Sequence, residues 1–517
     1  MAKKSGENLE EIKKRFNKQE VDARVREAIA NRGRWHNKFH VDAPYSLISD
    51  PNGLCNCNGT YHICCQWNPT PINQNWHKNK SWMHTTTKDF VHYTMPELTL
   101  WPGDPYDKDG CHSGCGFVED GKVRFFYTAN SRDENYVRSV AQRFCTLQED
   151  GSVVKEEIQV LGNPEGYTAH FRDPNFFYRN GVRYFAMAAQ RMSDMSKSSR
   201  PTNGAVLIYK EKPEGGWELL GEVKTDYYDF GYMWECPNLM QFEDMDVLIV
   251  CPQGVPHQEL RYQNHCLAGY FIGHFSVDSL DMIHGKFHEL DKGFDFYSPQ
   301  IIANEARHIL IGWIGMPDLT DTVESAKDGW LYTLTMPREL TIHQGKVRSQ
   351  PVEEMKALRK ERTDVDVSNA QGTPINLPEA SESEIELTFG AARQIEIDVK
   401  WGAEKFIMKY NRDNQIMTLD RNSMKLGGKG IRPFNDGKNT DVNIGVRNFK
   451  LFANQKLNFR LFVDKSAIEL FLQDGEEACS LLIYPENDVA PVLEISGDKP
   501  LQRISGKVWA LDEIKYE

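Results

Sequence analysis

The 517-residue chain has no apolar run long enough to span a bilayer. Its first 35 residues carry ten Lys/Arg and six Asp/Glu but lack the apolar core of a secretory leader. These absences speak against a membrane anchor and against export, so the expected location is the cytoplasm. Positive charge is in deficit: 61 Lys and Arg stand against 74 Asp and Glu, giving a formal net charge of −13. That balance argues against nucleic acid or an anionic membrane as a main partner. The 11 cysteines are odd in number, and most are expected to be free thiols. The cluster Cys55, Cys57, Cys64 and Cys65 holds no Cys-x-x-Cys pair, and the neighbours Cys64 and Cys65 would point to opposite faces of a strand. Small buried hydrophobes are therefore expected there, not a zinc site. Cys236 has no obvious His base, which leaves a nucleophilic role unsupported. No metal and no cofactor is expected.

What the chain does have is a repeat. Three acids stand beside prolines in Ser49-Asp50-Pro51-Asn52-Gly53, Phe171-Arg172-Asp173-Pro174 and Trp234-Glu235-Cys236-Pro237, spaced by 123 and then 62 residues. A period near sixty places further members at His112-Ser113-Gly114-Cys115-Gly116 and at Phe294-Asp295-Phe296-Tyr297-Ser298-Pro299. Each motif runs into a strand, a turn and a second strand. The turns Asn58-Gly59, Asp120-Gly121 and Asn180-Gly181 supply the positive backbone angles of a tight hairpin. Five such units predict an all-β fold, a five-bladed β-propeller whose inner strands bring Asp50, Asp173 and Glu235 to one funnel.

Outside the repeat, Leu9, Ile12, Phe16, Val25 and Ile29 recur at helical spacing. Residues 1–35 are thus expected to be a helical extension packed on the main domain or on a partner. The propeller is assigned to 36–350, and a charged helical linker with a polar loop to 351–378. Alternating segments such as Glu384-Ile385-Glu386-Leu387-Thr388-Phe389 assign 379–517 to a C-terminal β-sandwich. Its expected role is support, with binding of extended substrate or of a second subunit as the alternative.

The order of these motifs resembles glycoside hydrolase family 32, the β-fructofuranosidases. The resemblance runs through Ser49 to Leu54, Gln66-Trp67-Asn68-Pro69, Trp82-Met83-His84, Ser113-Gly114, Arg172-Asp173-Pro174, Glu235-Cys236-Pro237, Asp295-Phe296-Tyr297, Gly312-Trp313, Pro337-Arg338-Glu339 and Asp464-Lys465-Ser466. It covers roughly residues 36 to 510. It implies a five-bladed propeller followed by a β-sandwich, and hydrolysis of terminal fructofuranosides with retention of configuration. It also implies Asp50 as nucleophile, Glu235 as acid and base, and Asp173 as transition-state stabiliser kept ionised by Arg172. Cleavage through an oxocarbenium-like state needs such a set, and like charges in one cavity favour Glu235 as the protonated member. Ser49, Gln66, Trp76, Trp82, His112, Ser113, Arg172 and Trp313 would line the sugar site.

The chain departs from the family pattern at Leu47-Ile48-Ser49, His112, Cys115, Met83 and Asn238, which concerns substrate identity more than reaction type. Sucrose, sucrose 6-phosphate and short fructo-oligosaccharides are the expected saccharides. A fructosyltransferase, a hydrolase of an unusual fructoside, or a non-catalytic sugar-binding propeller are the alternatives. Lys80, Arg132 and Arg138 are the cations available to a phosphate, with a solvated surface as their plainer explanation. The oligomeric state is left open.

Overall fold

The computed structural model describes residues 9–72, 79–367, 373–376, 383–389, 392–434, 440–453, 456–497 and 504–517. Proline has no amide proton to give a ladder, so a strand that carries it must break its pairing locally. Residues 46–351 form five predominantly antiparallel sheets, led by inner strands Ser46–Cys57, Cys111–Glu119, Tyr167–Arg179, Met233–Gln241 and Phe296–Ile301. Each inner strand slips register at the same place to within one residue: Ile48/Pro51, Cys111/Gly114, Arg172/Asn175, Glu235/Asn238 and Tyr297/Gln300. At three of these bulges the residue before proline is left-handed, with φ of 62° at Asp173, 47° at Cys236 and 47° at Ser298. Successive inner strands adjoin one another, and the fifth returns to the first. Gly116 marks one close approach, because a Cβ there would lie 2.3 Å from the Gly53 carbonyl oxygen.

Two strands from elsewhere complete the first sheet. Trp330–Leu331 pairs in parallel with Ser46 and Leu47, and Lys515–Tyr516 pairs in parallel with His92–Tyr93. Helices Leu9–Arg15 and Lys18–Ala30 bury Ile12, Val21 and Val25, and the turn between them buries Phe16, in the same core as this sheet. Lys18 Nζ fixes them by donating to Glu97 at 2.7 Å and to the Leu98 carbonyl at 2.9 Å.

Past residue 352 the structure differs from the expected linker. The stretch expected to be a linker over 351–378 contains a 3-10 turn, Glu353–Leu358, followed by a strand, Arg359–Val367, that pairs with Ile504–Leu511. This strand edges one of two six-stranded sheets. Ile385, Leu387, Ile397, Phe406, Leu461 and Leu470 lie in the core between them.

Buried charge joins the two parts. Arg338 donates from Nε to Glu469 at 2.8 Å and from Nη1 to Asp291 at 3.0 Å, while His40 lies 2.8 Å from Asp464 and 3.0 Å from Glu469. Arg421 of the sandwich donates to Asp295 at 2.5 Å. No helix among the described residues is long and apolar enough to cross a membrane.

Candidate active site

The bulges set two tiers of side chains where the inner strands meet. Ser49, His112, Arg172, Glu235 and Tyr297 occupy one set of equivalent positions; Asp50, Ser113, Asp173, Cys236 and Ser298 occupy the next. Asp50 Oδ2 accepts from Ser113 Oγ at 2.7 Å and from Gln66 Nε2 at 3.2 Å. Gln66 also donates to Ser113, and its own Oε1 accepts from Ser49 Oγ at 3.5 Å. Ser49, the departure beside the first acid, thus orients the amide that holds Asp50.

Asp173 is buried. Its Oδ2 accepts from the Cys236 amide at 3.1 Å, and its own amide donates to Thr128 Oγ1 at 3.1 Å. Burial raises its proton affinity, Arg172 opposes this, and the neighbouring Glu235 and Asp50 add to it. All three acids therefore lie within electrostatic reach of one another. Arg172 serves two acids: its Nε lies 3.9 Å from Asp173 Oδ2, whose proton affinity it lowers, and the same Nε donates to Glu235 Oε1 at 2.9 Å, with Nη2 joining in. Glu235 Oε2 accepts from Gln253 Nε2 at 2.5 Å and from the Tyr297 hydroxyl. Burial alone would raise Glu235, yet Arg172, Tyr297 and Lys80 outweigh it and bring the carboxyl below its ordinary range.

Several residues were missed in the sequence. Gln253 carries no local signal. Tyr297 stood in a recognisable segment without a role. Lys80, read as surface, feels Asp50, Glu235 and Asp173, and burial lowers its affinity. His170 is solvent-exposed with Nδ1 3.1 Å from Arg172 Nη1 and 3.2 Å from Arg138 Nη1, and is lowered to about 4 by partial desolvation among its neighbours and then by these cations.

The tryptophans divide differently. Trp82 is buried against Phe125 and Tyr127 and donates to the His112 carbonyl at 3.2 Å, so it is core that shapes the neighbouring tier. Trp313 packs on Tyr297 and Tyr332, and its buried Nε1 has no hydrogen-bond partner among the described residues. Trp76 lies outside the described residues. All 11 cysteines are free and ten are buried, with Cys55 and Cys64 in one core and Cys65 in another. Cys236 is held as a thiol by its hydrogen bond with Cys251 and by burial. Asn238 explains its own departure: Nδ2 donates to the Cys236 and Pro299 carbonyls at 2.9 and 3.2 Å, which a carboxylate cannot do.

Converging carboxylates held by hydroxyl, amide and guanidinium donors at the meeting point of five sheets are the equipment of a glycosidase. The model described as "Glycosyl hydrolases family 32 N-terminal domain" matches residues 40–351, and that described as "Glycosyl hydrolases family 32 C terminal" matches residues 354–505. The chain belongs to glycosyl hydrolases family 32. It is similar to a sucrose-6-phosphate hydrolase of Bacillus subtilis, 33% identical over 89% of this chain and 91% of the relative. A raffinose invertase of Escherichia coli is 28% identical over 90% or more of each chain. The solved structure of a Lactobacillus gasseri sucrose-6-phosphate hydrolase superposes with a TM-score of 0.83 at 26% identity, covering 99% of this chain and 100% of that one.

Proposed function

We propose that the protein hydrolyses terminal β-D-fructofuranosides with retention, through a fructosyl-enzyme intermediate formed on Asp50. The observation that carries this reading is the contrast between two carboxylates. Among the described residues, the hydrogen bonds to Asp50 all reach Oδ2 and come from neutral donors, which leaves Oδ1 as the attacking oxygen. Glu235 is gripped at both oxygens by Arg172, Gln253 and Tyr297. With Arg172 in place Glu235 is ionised, whereas a general acid must arrive protonated. Arg172 therefore turns to the sugar hydroxyls as substrate enters. Burial, the largest influence on Glu235, then dominates and supplies the acid. Asp173 steadies the same hydroxyls, and Ser49, Gln66 and Ser113 fix the nucleophile.

The preferred substrate carries a phosphate on the leaving sugar. Arg132, Arg138 and Arg172 surround a neutral His170, and burial and the other two arginines lower Arg138 to about 10, the mark of cations without enough counter-charge. Relatives named sucrose-6-phosphate hydrolases favour the same reading. The five sheets are the blades of a propeller over residues 36–350, the sandwich is its support, and the buried free thiols suit a cytoplasmic enzyme.

Early product analysis by NMR tests the mechanism: β-fructofuranose should appear first, and initial α-anomer would overturn it. Glu235→Gln should lower kcat by about 10²–10⁴-fold with folding intact. Arg138→Ala should weaken kcat/KM on sucrose 6-phosphate while sparing sucrose. Equal losses on both would remove the phosphate.

A further inference from the structure

Behind Glu235 lies a cluster that hydrolysis does not use. The segment after strand Asp246–Gln253 returns so that Cys266 bridges Gln253, the residue whose amide donates to Glu235. The adjacent 3-10 turn Pro317–Thr322 presents Asp318 to the same place. One ligand atom each of His265, Cys266 and Asp318 lies within 4.8 Å of the other two, and His265 Nε2 stands 3.8 Å from Asp318 Oδ2. A tetrahedral zinc ion with bonds of about 2.0–2.3 Å holds its ligand atoms about 3.3–3.8 Å apart, so a small inward movement closes the set. The half-exposed Asp318 can make it, since the imidazole and thiol are buried and fixed.

We propose that His265, Cys266 and Asp318 bind a borderline-soft divalent cation of the zinc class, and that a cation held there slows hydrolysis. The donor set decides the class: thiolate with imidazole selects Zn²⁺ over Mg²⁺ or Ca²⁺, which prefer oxygen. Three protein ligands leave one position for water. On binding, the Cys266 S–H bond breaks, its proton leaves to solvent, and a sulfur–metal bond forms with no change of oxidation state. His265 Nε2 exchanges its 3.3 Å contact with the Tyr232 hydroxyl for the metal. The Tyr297 hydroxyl reaches both Cys266 and Glu235. A thiolate is a stronger acceptor than a thiol, so it competes for the single proton that Tyr297 now gives Glu235.

The binding half of the inference is independent of the sugar, so Co²⁺, a coloured stand-in for Zn²⁺, tests it directly on the full chain. One equivalent should produce a near-ultraviolet thiolate-to-cobalt band that Zn²⁺ abolishes. Cys266→Ser should lack the band, and Asp318→Asn should bind at least about tenfold more weakly. Zn²⁺ should inhibit the unaltered protein at the same stoichiometry, reversibly with EDTA, and Asp318→Asn should need at least about tenfold more. Asp318 is at the surface, so this variant serves if Cys266→Ser fails to fold. No thiolate band, or zinc inhibition unchanged in Asp318→Asn, overturns the proposal.

Discussion

Arg172 grips Glu235 through two nitrogens and only brushes Asp173, and that choice sets a measurable pH profile. Removing the guanidinium leaves burial as the main influence on Glu235, which raises its carboxyl. In Arg172→Gln the basic limb of kcat/KM, which reports loss of the acid's proton, should therefore move to higher pH while the rate falls about 10²-fold or more. A limb that stays or moves down would refute the assigned coupling. Asn238→Asp should cost about 1–3 kcal/mol in denaturant unfolding, because two buried carbonyls lose their donor. The acids are legible because they recur in register near prolines, and Arg172 because it stands in a motif that resembles the family's. The partners were not: Ser49 works through Gln66 on the next strand, and nothing local marks Gln253. Trp82 and Trp313 look alike in sequence, and only packing separates a core ring from one with an unsatisfied indole nitrogen.

The inner strand is the element that makes these contacts, and its equivalent positions run one residue off the spacing of the acids. Counting acids aligned Asp173 with Glu235, 62 apart. Counting prolines, Pro174 and Pro237, gives 63, which matches Asp173 with Cys236 and Arg172 with Glu235. That offset puts the acids on two tiers, which is why Asp50 meets hydroxyl and amide donors while Glu235 meets a guanidinium. Close inner-strand packing also predicts that Gly116→Ala costs about 1–3 kcal/mol, since its Cβ would press on the Gly53 carbonyl. An unchanged unfolding midpoint would contradict this contact. The strand Arg359–Val367 reads as linker in sequence because it is an edge strand. Of its described side chains only Val365 is buried, and its charges resemble a solvated connection while guarding a free edge.

Taken whole, the molecule uses several recognisable motifs away from the chemistry. Arg338 and Asp464, both in segments that carry the family resemblance, belong to the charge cluster between sheets and sandwich. His40 sits in it raised to about 9; burial opposes the shift, and Asp464 and Glu469 drive it. A folded-state affinity above the unfolded value of about 6.5 gives stability that is complete below that pH and lost as pH rises through about 9. The melting temperature should fall across this window, and His40→Gln should flatten the fall. Arg338→Met, which strands Glu469 and Asp291, should cost about 3–5 kcal/mol in denaturant unfolding.

The pairing of Lys515–Tyr516 with His92–Tyr93 also bears on synthesis. Chains leave the ribosome from the amino end, so the first sheet to emerge is the last to be finished. Until residues 515 and 516 arrive, the edge at His92 and Tyr93 lies open. A chain that has not yet reached residue 516, or has lost it, would offer that edge to any other strand nearby, and the protein's own strand shuts it.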